Sequence, residues 1–125
     1  MFKFRNFVTI IYYLIINNCI ADNDKLVLKE VSKNLWVYYA SNESPNKFNN
    51  GLIANMTAII GEKYTLVYDA GPSRQFAENF INQIKSISNN PIKYLIISHR
   101  HFDHAYGIEP FIKEGAKIYF DKKEF

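Results

Sequence analysis

From Leu26 onward the chain is a succession of short apolar runs separated by polar turns. Leu26–Val31 predicts a first strand. Ser32-Lys33-Asn34 is a turn, and Leu35–Ala40, rich in aromatic and β-branched residues, predicts a second strand. So short a connection implies an antiparallel hairpin. Ser41–Gly51 is a loop rich in Asn and Ser with one Pro. Its length suits either a functional loop or a plain surface connection. Leu52–Ile60 predicts a third strand, Gly61-Glu62-Lys63 a tight turn, and Tyr64–Tyr68 a fourth strand closed by Asp69-Ala70-Gly71-Pro72.

The period then changes. Phe76, Phe80, Ile84 and Ile87 recur at spacings of four, four and three, with Ala77 and Ile81 beside them. That is one face of a helix, with Ser73 as its cap and Asn89-Asn90-Pro91 as its stop. Ile92–Ser98 is apolar almost throughout, which predicts a strand buried on both faces. Tyr106–Glu114 predicts a short helix that Pro110 starts or interrupts, and Ala116–Phe120 a last strand. The order predicts an α+β domain, a mostly antiparallel or mixed sheet with helices on one face.

The first 21 residues have a different pattern. Lys3 and Arg5 precede an apolar run, Phe7–Ile16, broken only by Thr9, and small residues stand at Cys19 and Ala21. This is the pattern of an export signal cleaved after Ala21, with residues 22–125 as the domain. The run is short of the roughly 20 residues of a membrane span. Two alternatives are a lipid-modified Cys19 and an uncleaved anchor. All three place the domain outside the cytoplasm, periplasmic or secreted, touching a membrane only through the signal or the lipid. The single cysteine excludes an intrachain disulfide. Two of the 15 basic residues lie in the signal, so the rest is almost balanced against 12 acidic residues. With no basic stripe, nucleic acid is not an expected partner.

All three histidines fall in one stretch, His99-Arg100-His101-Phe102-Asp103-His104, directly after the fifth strand. Imidazole and carboxylate are the N and O donors that zinc takes at short distance. On extended backbone His99 and His101 project to one side, and Asp103 continues the alternation. His104 then points elsewhere unless the chain turns. Arg100 and Phe102 alternate away from the donors and read as structural. Imidazoles bind metal only when neutral, so metal is expected to be lost below about pH 6.

His-x-His-x-Asp-His after an apolar strand resembles the signature of the metallo-β-lactamase superfamily of αββα metallohydrolases. Ala54–Gly61, Leu66–Gly71 and Pro91–Ser98 resemble the strands that lead into its site, with Ser98 where Thr is common. The resemblance covers roughly Leu26–Phe120. It implies the N-terminal αβ half of that fold and two zinc sites. His99 and His101 would serve the first zinc, Asp103 and His104 the second. Asp103 would also orient the attacking water and is the catalytic candidate. Asp69 would hold a ligand imidazole from behind; an ordinary turn carboxylate is the alternative. His101 in place of Glu speaks against resemblance to the family's diiron members, and His104 as a second-site donor resembles the glyoxalase-like and related hydrolase branches.

The family's third histidine for the first site, its bridging Asp and its last histidine all lie downstream, and no histidine follows His104. Two readings follow. One is the N-terminal fragment of an exported zinc hydrolase directing water at an ester, amide, thioester or lactam of a small molecule, its identity open. The other is a non-catalytic remnant, or a metal-binding or interaction module completed by a partner chain. On either reading, half of the fold leaves a broad apolar sheet face bare.

Overall fold

The computed structural model describes residues 26–124. The segment read as an export signal, residues 1–21, lies outside the described residues. Six strands form one sheet in sequence order: β1 (Lys29–Ser32), β2 (Leu35–Tyr38), β3 (Met56–Ile60), β4 (Thr65–Tyr68), β5 (Ile92–Ile97) and β6 (Lys117–Phe120). The first three pairings are antiparallel; β4–β5 and β5–β6 are parallel. Helix α1 (Arg74–Ile87) makes the crossover from β4 to β5. The short helices α2 (Phe102–Ala105) and α3 (Ile108–Lys113) lie between β5 and β6. The predicted α+β class and mixed sheet are therefore present. Among the described residues no helix is long and apolar enough to cross a membrane.

The strands are shorter than their apolar runs. Leu26 and Leu28 are buried but lie ahead of the β1 ladder, and Leu52 and Ala54 are buried in the loop before β3. Hydrophobicity marks what is inside; pairing decides what is strand. Asn34 closes the β1–β2 hairpin in the left-handed region at φ 63°, a conformation Asn tolerates.

One face of the sheet carries the core. Met56, Ala58, Val67, Leu95 and Ile97 pack there with Ala77, Phe80, Ile81 and Ile84 of α1 and Phe111 of α3. The helical stripe expected from spacing is this face, and Ser73 Oγ accepts from Phe76 N–H at 3.4 Å as its cap. Arg74 of α1 holds Glu109 of α3 through its Nε at 2.7 Å and its second guanidinium nitrogen. Hydrogen bonds from Arg74 and then Lys113 pull the Glu109 carboxyl down to about 2, and the same Arg74 bond pushes the guanidinium up.

The opposite face has no cover among the described residues. By register it presents Leu35, Val37, Thr57, Ile59, Leu66, Tyr68, Tyr94, Ile96 and Tyr119. Ile59, Tyr68 and Tyr119 are 45%, 42% and 50% exposed. This corrects the expectation for the fifth strand. Leu95 and Ile97 are buried, whereas Tyr94 and Ile96 are only half-buried, because helices cover one side alone.

Candidate functional site

Parallel neighbours end on the same edge of a sheet. Asp69 follows β4 and Ser98 follows β5, so the two stand side by side at the carboxyl ends, where sites in such sheets form. Asp69 has φ 66°, and its N–H donates to Ile96 O at 2.9 Å. Its side chain is turned inward and the residue is only 3% exposed.

The His/Asp run starts extended and then turns. His101 (φ −63°, ψ 150°) precedes the single helical turn of α2, with Ala105 N–H donating to His101 O at 3.0 Å. The expected alternation thus stops at His101. The turn carries His104 back over His99, with ring centroids 4.0 Å apart. Ala70 N–H donates to His104 O at 2.8 Å, and Gly107 N–H to Gly71 O at 2.9 Å. The loop after β4 is thereby tied to the turn from both ends.

This brings all four sequence-predicted donors together as two pairs. His99 Nε2 lies 3.1 Å from His101 Nδ1, and His104 Nε2 lies 3.2 Å from Asp103 Oδ2. Two ligands at zinc–nitrogen distance in tetrahedral geometry stand about 3.3 Å apart, so each pair spans close to one edge of a coordination tetrahedron. Among the described residues no group of three His, Cys, Asp or Glu forms a metal cage. The donor chemistry fits zinc, two ligands at a time.

Asp69 sits beneath the pairs. Oδ1 accepts from Ser98 N–H at 2.8 Å, and Oδ2 lies 2.8 Å from His104 Nδ1. Ser98 Oγ is 2.9 and 3.0 Å from the two carboxylate oxygens, 3.0 Å from His99 Nδ1 and 3.1 Å from His104 Nδ1. Asp69 is thus bonded to a donor histidine. The part of Ser98 was not foreseen; a small hydroxyl between a strand end and the first histidine was the available signal.

A cleft of about 770 Å³ opens over these groups, lined by Asp69, Ser98, His99 and His104 on one side and by Tyr39–Asn42, Ile53–Asn55, Thr57 and Tyr68 on the other. Its far wall belongs to the Asn-rich loop, which is held by its own side chains. Asn46 Oδ1 accepts from Phe48 and Asn49 N–H, and Asn49 Oδ1 from Asn46 and Gly51 N–H. At Gly51 (φ 77°) a side chain would meet the Phe102 ring at 3.0 Å. Phe102, read as structural, therefore packs the loop onto the helical turn that carries Asp103 and His104. Arg100 is exposed; its N–H donates to Glu124 Oε2 at 3.3 Å.

A sequence model described as the metallo-beta-lactamase superfamily matches residues 49–119, more than half of the chain. No curated protein matches it. Among solved structures, the metallo-beta-lactamase FIM-1 from Pseudomonas aeruginosa in its mono-zinc form is similar, with a TM-score of 0.67 and 14% identity. The match covers 78% of this chain and 42% of that one. At that identity the likeness is one of fold, and this chain spans less than half the length of the enzyme it resembles.

Proposed function

The chain belongs to the metallo-β-lactamase superfamily, and from that premise we propose that it is the donor-bearing N-terminal αβ half of an exported zinc-dependent hydrolase. His99 Nε2 and His101 Nδ1 would hold one zinc, and Asp103 Oδ2 and His104 Nε2 a second. Bound there, zinc would supply a Lewis acid and a water acidic enough to attack an ester, amide, thioester or lactam carbonyl at neutral pH. Asp103 has a second carboxylate oxygen, which would accept a hydrogen bond from that water and aim it. Asp69 and Ser98 hold the imidazoles from behind. The loop wall Tyr39–Asn42 would exclude bulk water and seat a small substrate.

The observation that carries this reading is the pair of donor distances, 3.1 and 3.2 Å, meeting over one buried carboxylate. Titration of the full chain with zinc against a chelating dye tests it. Weak binding below two equivalents is expected, reduced in His99→Ala and in His104→Ala, each of which removes a donor of one site, with no hydrolysis of a chromogenic lactam or a thioester. Zinc affinity equal in wild type and both variants would sink the assignment. Cell fractionation tests the export, with the domain expected in the periplasm.

The bare sheet face favours a second reading, an interaction module completed by a partner chain. Light scattering tests it: a stable hetero-complex lost in Ile59→Lys favours it, and a monodisperse monomer opposes it.

A further inference from the structure

Ser98 is one residue away from the first donor and makes more polar contacts than any donor does. A hydroxyl has one proton to give and two lone pairs to receive with. Four partners surround its Oγ: both Asp69 oxygens, His99 Nδ1 and His104 Nδ1, all between 2.9 and 3.1 Å. The Asp69 carboxylate only accepts when ionised, and a charged acceptor outcompetes a neutral ring nitrogen for the proton. The hydroxyl hydrogen therefore goes to Asp69. A hydroxyl committed in that direction faces His99 Nδ1 with a lone pair, so His99 must present Nδ1–H. His104 has a carboxylate at each nitrogen, Asp69 Oδ2 at 2.8 Å from Nδ1 and Asp103 Oδ2 at 3.2 Å from Nε2, and the shorter contact assigns the proton of the neutral ring to Nδ1.

We infer that Ser98 is a positioning residue that passes the preference of Asp69 on to His99, so that one carboxylate sets the tautomer of two imidazoles. His104 is set directly and His99 through the hydroxyl. Both rings then turn a bare Nε2 toward the cleft, one facing His101 and the other Asp103. Without the hydroxyl, His99 Nδ1 keeps no hydrogen-bond partner among the described residues, and the Nε2–H form, donating to His101 Nδ1, would put a proton where a ligand lone pair is needed. The consequence for metal affinity rests on the zinc reading above; the consequence for the tautomers does not.

The test is nitrogen-15 NMR of the histidine rings in the metal-free full chain, above the pH at which imidazoles titrate, with zinc titration alongside. In wild type both His99 and His104 should carry Nδ1–H. In Ser98→Ala, His99 should become a mixture of the two forms while His104 keeps Nδ1–H, and zinc affinity should fall about 10–100-fold. Ser98→Thr, which keeps the hydroxyl, should restore both. An unchanged His104 signal reports an intact site, which a merely structural loss would not leave. The inference is overturned if His99 keeps Nδ1–H in Ser98→Ala. Should that variant not fold, wild type decides, and Nε2–H on His99 overturns the inference. Absence of zinc binding in a wild type with the expected tautomers overturns the zinc reading and upholds this one.

Discussion

Of the five glycines Gly107 has the least room, and a single methyl group there tests how tightly the site is braced. A Cβ at this position would lie 2.1 Å from Ala70 O, 2.9 Å from Ala70 C and 2.9 Å from Ala77 Cβ. The backbone at Gly107 (φ −85°, ψ 14°) suits any residue, so the whole effect is steric. The obstructing carbonyl cannot swing aside as a side chain would. It is main chain, on a residue whose own N–H is fixed to His104 O, and Ala77 is buried in α1. Overpacking costs roughly 1–3 kcal/mol, and a backbone obstruction belongs at the upper end, about 3 kcal/mol.

For a domain of this size each kcal/mol moves the melting temperature by roughly 4–8 °C, so Gly107→Ala should lower it by roughly 12–24 °C. Gly115→Ala is the matched control. There φ is +82° and nothing lies within 4 Å, so only the left-handed backbone penalises a side chain, by about 1 kcal/mol. Thermal melts followed by circular dichroism measure both. Because Ala70 carries the bond to His104, Gly107→Ala should also weaken zinc binding, and Gly115→Ala should not. A Gly107→Ala chain melting within a few degrees of wild type, or above Gly115→Ala, would refute the bracing.

Thr65 Oγ1 is buried with no hydrogen-bond partner among the described residues, so Thr65→Val should raise stability by about 1 kcal/mol in a denaturant melt; a loss of that size would mean the hydroxyl is bonded after all. Asp69→Asn keeps the shape and the left-handed backbone but removes the charged acceptor of Ser98 and His104, and should cost about 2–3 kcal/mol; a cost near zero would count against the network. Glu109 titrates at about 2 in the folded chain against an ordinary value near 4.5. Its contribution is present above 4.5 and disappears as pH falls toward 2. The melting-temperature gap between wild type and Glu109→Gln should therefore shrink across that window, and only modestly, since both partners are about half exposed; a gap independent of pH contradicts the pairing.

The order of elements was legible because each announces itself in a different period. Phe76, Phe80 and Ile84 could only be a helix face, and the Gly61–Lys63 turn could only join neighbours. Strand ends were less legible. Leu52 and Ala54 are as apolar as Met56 and Ala58, yet they are buried by the loop's path, which Asn50 and Gly51 bend through positive φ. The reading of Ile92–Ser98 as buried on both faces failed for a related reason. Tyr94 and Ile96 are apolar enough for a core, but apolar side chains alone do not tell whether a covering layer is present.

The donors themselves were visible as residue types, but their arrangement was not. Alternation along an extended strand would have set His99, His101 and Asp103 in one row and sent His104 away. The chain instead uses the first turn of α2 to fold the run back on itself, so His104 finds His99 and the same carboxylate. That turn has no strong signal of its own; His101 gives its end no side-chain cap. It is held from outside, by Ala70 and Gly71 at the end of a strand some thirty residues earlier. The parallel pairing of β4 and β5 is what brings those residues alongside, and α1 is what makes that pairing possible. The amphipathic helix is therefore a precondition of the donor geometry, although no donor lies on it.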